Sequence, residues 1–481
     1  MSKSKINLKY KCMGASRQVT GSNHVLEIRV SGKLYTVVVD FGMVQNNLKK
    51  TNELHNINKK EKSIKWDKVD IIILTHSHAD HSGLLPVAIM NGFNGDIIST
   101  APAMKLTELI LTDSAFIQQR ESERYNKTRE GKKKNIYPIY GQRHVEQTMD
   151  RFKGYDYNKV IMLTGNISLT LMPTGHLLGA CSPYLEIRSG EEVKRLLFTG
   201  DTSANKKLPF TKKPNFKDLK VDYVFSEGTY GNKKQGKNNV KQKLKKHIAE
   251  TVIKNNGKLV IPVFSVGRST SVVKYLYEIF KENADFNSVP VFLASPMACK
   301  SHRIYGDKDS FNFYNESYNR YRHIFCWDKL QFIEDYPVLE REVLNKKPQI
   351  ILVSSGMITG GYSNAVTSGM LPHENSTILF CGYQGLGSTG RCIMESEFGQ
   401  SIKIDNKDVK RKCNIDFMNM SSHADYEKII EMIKSMRHTK IKKILLNHGD
   451  VEALDFFKKE LENEFSAEII VSDYDKWIKL T

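Results

Sequence analysis

Acidic residues are scarce in this chain: 72 Lys+Arg face 53 Asp+Glu, a net charge of +19 over 481 residues. A field of that sign is poorly suited to cationic partners and favours polyanions such as RNA or DNA, although a lysine-rich solvated surface would look the same. Cysteine is also sparse. The seven thiols are odd in number and scattered, with no CxxC pair. This excludes a disulfide framework and a Cys-type zinc site, and implies reduced thiols in a cytoplasmic protein. No uncharged apolar run reaches the roughly 18 residues a membrane span needs. The opening stretch, MSKSKINLKYKC, is polar and basic and has no signal-like apolar segment behind it. Gly/Ser-rich and Pro-rich linkers are missing, as are internal repeats. Two domains strung as beads are therefore disfavoured, and a domain inserted within another fits better. With 40% hydrophobic residues and a mean hydropathy of −0.42, the chain reads as globular and long enough for two or more cores.

Against these absences stands one dense cluster, Thr75-His76-Ser77-His78-Ala79-Asp80-His81. It follows an apolar run, residues 71–74, that reads as a buried strand, and a helix is expected to begin soon after Gly83. The cluster then occupies a loop at a strand's carboxyl end, where open α/β sheets place their chemistry. On an extended loop alternate side chains share a face, so His76 and His78 can hold one ion while Asp80 and His81 address a neighbouring position. Imidazoles with a carboxylate suit zinc, and the mixture leaves room for two ions.

The remainder repeats one pattern, an apolar strand ending in a single polar group. Residues 34–40 end in Asp40, 167–172 lead to His176, 195–199 to Asp201 and 221–226 to Glu227. Any one of these alone is equally explained as a cap or turn. Residues 49–68 read as a polar surface excursion, 102–120 as a helix and 126–135 as a basic loop. From residue 231 the texture changes, with a basic stretch over 233–246 running into a helix. Strand-like runs at 258–263, 289–294, 348–354 and 377–382 predict a parallel sheet covered on both faces. Each run ends in a small-residue loop: 264–270, 294–298, 354–361 and 382–391. Turn chemistry accounts for one such loop, whereas several converging from one sheet favour a phosphate-lined surface with Arg268 and Arg391 as anion partners. The tail returns to the ligand pattern. Ser422-His423-Ala424-Asp425 precedes a helix that Asp425 caps, and a strand at 442–446 ends in Asn447-His448-Gly449-Asp450.

Taken together these stretches resemble the β-CASP nucleases of the metallo-β-lactamase superfamily, the branch that includes the 73-kDa endonuclease subunit of the cleavage and polyadenylation specificity factor. THSHADH is similar to the superfamily's THxHxDH signature, and Asp40, His176 and Asp201 match its other motifs. Glu227, His423 and His448 match the branch motifs A, B and C, and GASRQVTGSNH, SSGMITGG and GYQ are also similar. The resemblance implies an α/β chain with a four-layer αββα metallo-β-lactamase fold, residues 1–230 and 420–481, interrupted by an α/β β-CASP domain at 231–419. Two zinc ions are implied, with His76, His78 and His176 on one, Asp80, His81 and His448 on the other, and Asp201 bridging. Asp40 would orient ligands or the nucleophile. His423 would act as general acid, held by Glu227. Candidate RNA contacts are Arg268, Ser355, Gly356, Thr359, Gly360, Gly361, Tyr383, Gln384 and Arg391.

The implied activity is zinc-dependent hydrolysis of single-stranded RNA, endonucleolytic or from the 5′ end, by a two-metal-activated hydroxide. A homodimer is a family-level expectation. Two departures bear on substrate preference: GRxQE is replaced by Gly267-Arg268-Ser269-Thr270, and EST by Glu227-Gly228-Thr229. The alternatives are a DNA nuclease, opposed by His448; a small-molecule (thio)ester hydrolase, which needs neither His423 nor His448; and a catalytically silent RNA-binding subunit, opposed by the complete ligand set. His24 has no assigned role. His55, His144, His247, His302, His323, His373 and His438 read as ordinary surface or core residues.

Overall fold

The computed structural model describes residues 5–45, 51–59, 64–204, 208–236, 239–314, 318–436 and 440–481. They fall into two compact units, Met1–Gln235 together with Ser422–Thr481, and Gly236–Ser421.

The first unit contains two seven-stranded sheets. One runs in the order Trp477–Lys479, Asn7–Gly14, Asn23–Val30, Lys33–Phe41, Ile71–Ile73, Asp96–Thr100, Phe152–Tyr155. The other runs Glu468–Val471, Lys443–Asn447, Tyr223–Glu227, Glu192–Phe198, Cys181–Ser189, Ile167–Pro173, Val160–Met162. The C-terminal segment supplies strands to both sheets, so the unit closes only when the chain's two ends meet. Alternation decides which side chains lie between the sheets. Tyr10 of the first packs on Phe225 of the second with ring centroids 4.6 Å apart, and Phe198 stacks on Phe225 at 4.1 Å. The opposite faces carry separate cores. Phe41, Trp66, Leu85 and Phe152 gather on one side, and Leu446, Ile429, Ile433 and Phe457 on the other. The result is the αββα layering that the resemblance implies.

The second unit is built on a six-stranded sheet ordered Leu330–Ile333, Val291–Ala294, Gln349–Val353, Lys258–Pro262, Thr377–Phe380, Asn414–Phe417. Every neighbouring pair is parallel. Val260, Phe292, Ile351 and Phe380 enter one core, while Leu259, Leu293, Leu352 and Leu379 on the alternate positions are buried as completely. Both faces are therefore covered, as a parallel sheet requires. The outer strands, LQFI and NIDF, escape a reading by apolar runs because they are partly exposed and carry polar residues.

Three local expectations are corrected. A helical turn, Ala79–Ser82, begins before Gly83 and contains Asp80 and His81. The carbonyl of His78 accepts from the N–H groups of His81 and Ser82, both at 2.9 Å, and this closes the turn. The excursion at 49–68 contains the helix Thr51–Lys59 and a 3₁₀ turn at Trp66–Lys68; residues 49, 50 and 60–63 of it lie outside the described residues. Trp66 anchors it by packing on Phe41 at 4.5 Å. The basic stretch 126–135 is not a plain loop: Asn126 ends the helix Ala101–Asn126, and Arg129–Lys133 forms a short helix of its own, lysine being a good helix former.

Candidate active site

Asp40, last but one in the strand Lys33–Phe41, has φ 61°, a left-handed conformation that turns its carboxylate towards the neighbouring strand end. Oδ1 accepts from the backbone N–H of Thr75 at 2.8 Å. Oδ2 accepts from the Thr75 hydroxyl at 2.8 Å and lies 2.7 Å from His81 Nδ1. Asp40 thus braces the start of the histidine loop and the ring of its last member, leaving His81 Nε2 facing the site. The neighbouring Gly42 is required by space, because a Cβ there would stand 1.6 Å from the Asp80 carbonyl oxygen.

Around Asp201 the imidazoles divide into two sets. Its Oδ2 lies 3.5 Å from His76 Nε2 and 3.6 Å from His176 Nε2. Its Oδ1 lies 3.3 Å from His81 Nε2 and 3.6 Å from His448 Nε2. His78 joins the first set through Nδ1, 3.1 Å from His76 Nε2 and 3.3 Å from His176 Nε2. Asp80 joins the second, 3.6 Å from His448 Nε2, and the Nε2 atoms of His81 and His448 are 3.0 Å apart. The donor atoms of His76, His78, His176 and Asp201 lie within 4.8 Å of one another, as do those of Asp80, His81 and His448. Asp80 and His81 owe their orientation to the helical turn rather than to extended alternation.

Burial sets the electrostatics. Loss of hydration pushes His76 and His176 well below the ordinary imidazole range and His78 to about 4, with the neighbouring histidines adding to the effect. These rings are neutral at pH 7, the state in which imidazole can ligate. Burial also opposes charge on His81, but Asp201 and Asp40 outweigh it and raise that group. Burial disfavours the Asp80 and Asp201 carboxylates, yet the surrounding histidines hold both below the usual range, Asp80 at about 2. Buried Asp201 Oδ1 and His176 Nδ1 have no hydrogen-bond partner among the described residues. The neutral nitrogens of His76, His78 and His176 and the anionic oxygens of Asp80 and Asp201 converging this closely, with a buried oxygen unsatisfied, fit divalent zinc.

His423 stands beside this cluster. Its Nδ1 is 2.8 Å from Glu227 Oε2, and Glu227 Oε1 accepts from the Thr202 backbone N–H at 2.6 Å. The His423 ring lies 4.7 Å from that of His176, and its Nε2 is 3.8 Å from Asp201. Burial disfavours its charge, but Glu227 and Asp201 overcome this and push it up to about 9. Asp425, two residues on, caps the helix Tyr426–Lys434 by accepting from Lys428 N at 3.0 Å, as the sequence predicts. Its other oxygen accepts from Gln235 N at 2.9 Å, and Gln235 Nε2 donates to the His423 carbonyl at 2.8 Å. Gln235 thus ties both the His423 carbonyl and the cap of the helix that follows it.

Residue-by-residue reading missed three supports. Thr75 and Thr229 are ordinary threonines in the sequence and show their contacts only once folded. His24 is buried between the sheets, 2.8 Å from the Tyr10 hydroxyl and 2.9 Å from Asn447 Nδ2. It therefore steadies the residue before His448. Elsewhere, His302 packs against Phe325 at 4.9 Å, His144 Nδ1 accepts from Gly141 N, and His247 bonds Asp416. His438 lies outside the described residues.

In the second unit, the candidate RNA contacts occupy the ends of three adjacent strands, Gln349–Val353, Lys258–Pro262 and Thr377–Phe380. Arg268 donates to the Cys381 carbonyl, and buried Gln384 donates to the carbonyls of Gly356 at 2.9 Å and Gly382 at 3.1 Å. These two side chains bind the loops to one another. Arg391 pairs with Glu395. The Ser355 and Thr359 hydroxyls lie 2.8 Å apart, Gly360 and Gly361 have positive φ, and Tyr383 is exposed.

Three family models match the chain: a metallo-beta-lactamase superfamily domain at 29–198, a Beta-Casp domain at 270–393, and a Zn-dependent metallo-hydrolase RNA specificity domain at 408–472. Among curated proteins, the transcription termination factor FttA of Methanothermobacter thermautotrophicus is 28% identical over 397 residues, 80% of this chain and 59% of that protein. The endoribonuclease YSH1 of Candida albicans is 25% identical over 410 residues, 83% and 45% respectively. The cleavage and polyadenylation specificity factor 73 of Drosophila melanogaster is 23% identical over 473 residues, 96% and 62%. The chain spans less than two-thirds of the length of these relatives. A crystal structure of an Enterococcus faecalis protein of unknown function shares the fold, with a TM-score of 0.55 at 13% identity over 98% of this chain and 100% of that one.

Proposed function

The chain belongs to the β-CASP branch of the metallo-β-lactamase superfamily, and we propose that it is a zinc-dependent ribonuclease acting on single-stranded RNA. The observation that carries this reading is the division of Asp201, with one oxygen turned to His76 and His176 and the other to His81 and His448. It supports two ions, His76, His78 and His176 holding one and Asp80, His81 and His448 the other, with Asp201 shared. Zinc bound there supplies Lewis acidity and an activated water at neutral pH.

The chain's own groups do the rest. His423, protonated and backed by Glu227, gives its Nε2 proton to the departing 3′-oxygen, which would otherwise leave as an unstable alkoxide. Asp40 keeps His81 Nε2 aimed inward. The basic surface favours a polyanion. In the inserted domain, residues 231–419, the hydroxyls of Ser355 and Thr359, the amides around Gly360 and Gly361, and the Tyr383 ring are suited to phosphate and base contact, while Arg268 and Gln384 keep those loops in place. RNA-processing relatives and the RNA specificity domain support RNA over DNA. A cytoplasmic location rests on the scattered cysteines and a homodimer on the resemblance; no helix among the described residues is long and apolar enough to cross a membrane.

The test uses end-labelled single-stranded RNA and the matching DNA, with and without chelator, for wild type and His423→Ala. Expected is chelator-sensitive cleavage of RNA, reduced about 10²–10⁴-fold in the variant at unchanged zinc content. Cleavage of DNA alone, or a fully active zinc-loaded variant, overturns the reading.

A further inference from the structure

We infer that Thr229 is a positioning residue: its hydroxyl fixes which nitrogen of His448 faces the metal centre. The inference rests on the two-ion reading above and concerns a side chain which that reading does not use.

Thr229 Oγ1 lies 3.1 Å from His448 Nδ1 and 3.1 Å from the His448 carbonyl oxygen. A hydroxyl has one proton to give, and a carbonyl can only accept. The proton therefore goes to the carbonyl, and the hydroxyl oxygen accepts from Nδ1–H. With its proton held on Nδ1, the ring presents the Nε2 lone pair to Asp80, His81 and Asp201. Without that partner, nothing opposes a proton on Nε2, where it would block ligation.

The backbone leaves this hydroxyl in control of the ring. His448 sits at φ 53°, its N–H donates to Ala15 O at 2.9 Å, and its carbonyl also accepts from Gly228 N at 3.2 Å. A Cβ on Gly449 would stand 2.5 Å from Gly228 O, so the two segments touch along their backbones. The ring's own rotation is the remaining freedom, and Thr229 takes it up. The tripeptide Glu227-Gly228-Thr229 then serves two histidines at once: Glu227 holds His423 and Thr229 holds His448.

Thr229→Val removes the hydroxyl at nearly constant shape, and Thr229→Ser keeps it. The first readout is the imidazole ¹⁵N–¹H correlation of His448 in the metal-free wild type, expected to show Nδ1–H. The second is zinc affinity by chelator competition. Thr229→Val is expected to weaken one of two ions about 10–100-fold and spare the other, and Thr229→Ser to restore it. An Nε2–H tautomer in the wild type, or two ions bound by Thr229→Val as tightly as by wild type, overturns the inference. Wild-type protein that takes up fewer than two ions overturns the two-ion reading itself, and is told apart because it needs no substitution. Should Thr229→Val fail to fold, the wild-type tautomer and the serine variant still decide.

Discussion

Glu227 and His423 form a hydrogen-bonded pair, Oε2 to Nδ1 at 2.8 Å, and the second carboxylate oxygen is taken by the backbone N–H of Thr202 at 2.6 Å. The carboxylate cannot rotate away without abandoning a buried donor. His423 therefore keeps a fixed orientation and a stabilised positive charge.

That pair sets a pH dependence. A general acid works while protonated, so turnover should fall as pH rises through the His423 pKa, raised to about 9 in the metal-free protein. Asp201, Asp80 and Glu227 face the ring and raise it, whereas bound divalent ions act against them. Glu227→Gln removes the nearest negative charge, and the alkaline limb of the rate profile should move about 1–3 pH units towards acid. The check is kcat against pH for both proteins at saturating zinc; superimposable alkaline limbs would separate Glu227 from the proton donor.

Asp40 accepts from three donors: Thr75 N, the Thr75 hydroxyl and His81 Nδ1. An asparagine tolerates the positive φ, but its NH₂ cannot accept, so at least one of these donors is left unpaired. Asp40→Asn should weaken zinc binding about 10–100-fold. Chelator competition measures this directly, and an unchanged affinity would show that His81 needs no such brace.

Gly42 has no room for a methyl group, since its Cβ would fall 1.6 Å from the Asp80 carbonyl oxygen. Backbone, not a flexible side chain, would have to move. Gly42→Ala should cost at least about 1–3 kcal/mol of stability and lower zinc content by displacing Asp80. Thermal denaturation and elemental analysis together test it; a stable variant with less zinc would confine the clash to the site.

Much of the centre was legible before folding because its donors are chemically conspicuous. Three histidines and an aspartate within THSHADH have few uses other than metal binding, and Asp40, His176, Asp201, His423 and His448 each follow an apolar strand or precede a helix. The parallel sheet of the second unit was equally readable from its continuous apolar runs. Its edge strands LQFI and NIDF were not, because edge positions need not be apolar.

The amino-acid sequence by itself determined the parallel sheet of the second unit and the roster of metal-binding groups, since apolar periodicity and donor chemistry are local properties; the αββα layering came from the motif resemblance. Only the tertiary structure decided how those groups divide. Asp201 turns one oxygen to each histidine set because three strand ends of the second sheet, leading to His176, Asp201 and His448, stand opposite a loop from the first. Asp80 and His81 reach their places through a single helical turn that the sequence reads as extended. Thr229 gains meaning only beside His448, 219 residues away. A hydroxyl carries no chemistry of its own here until folding supplies a partner, and long-range contact is what one-dimensional pattern cannot contain.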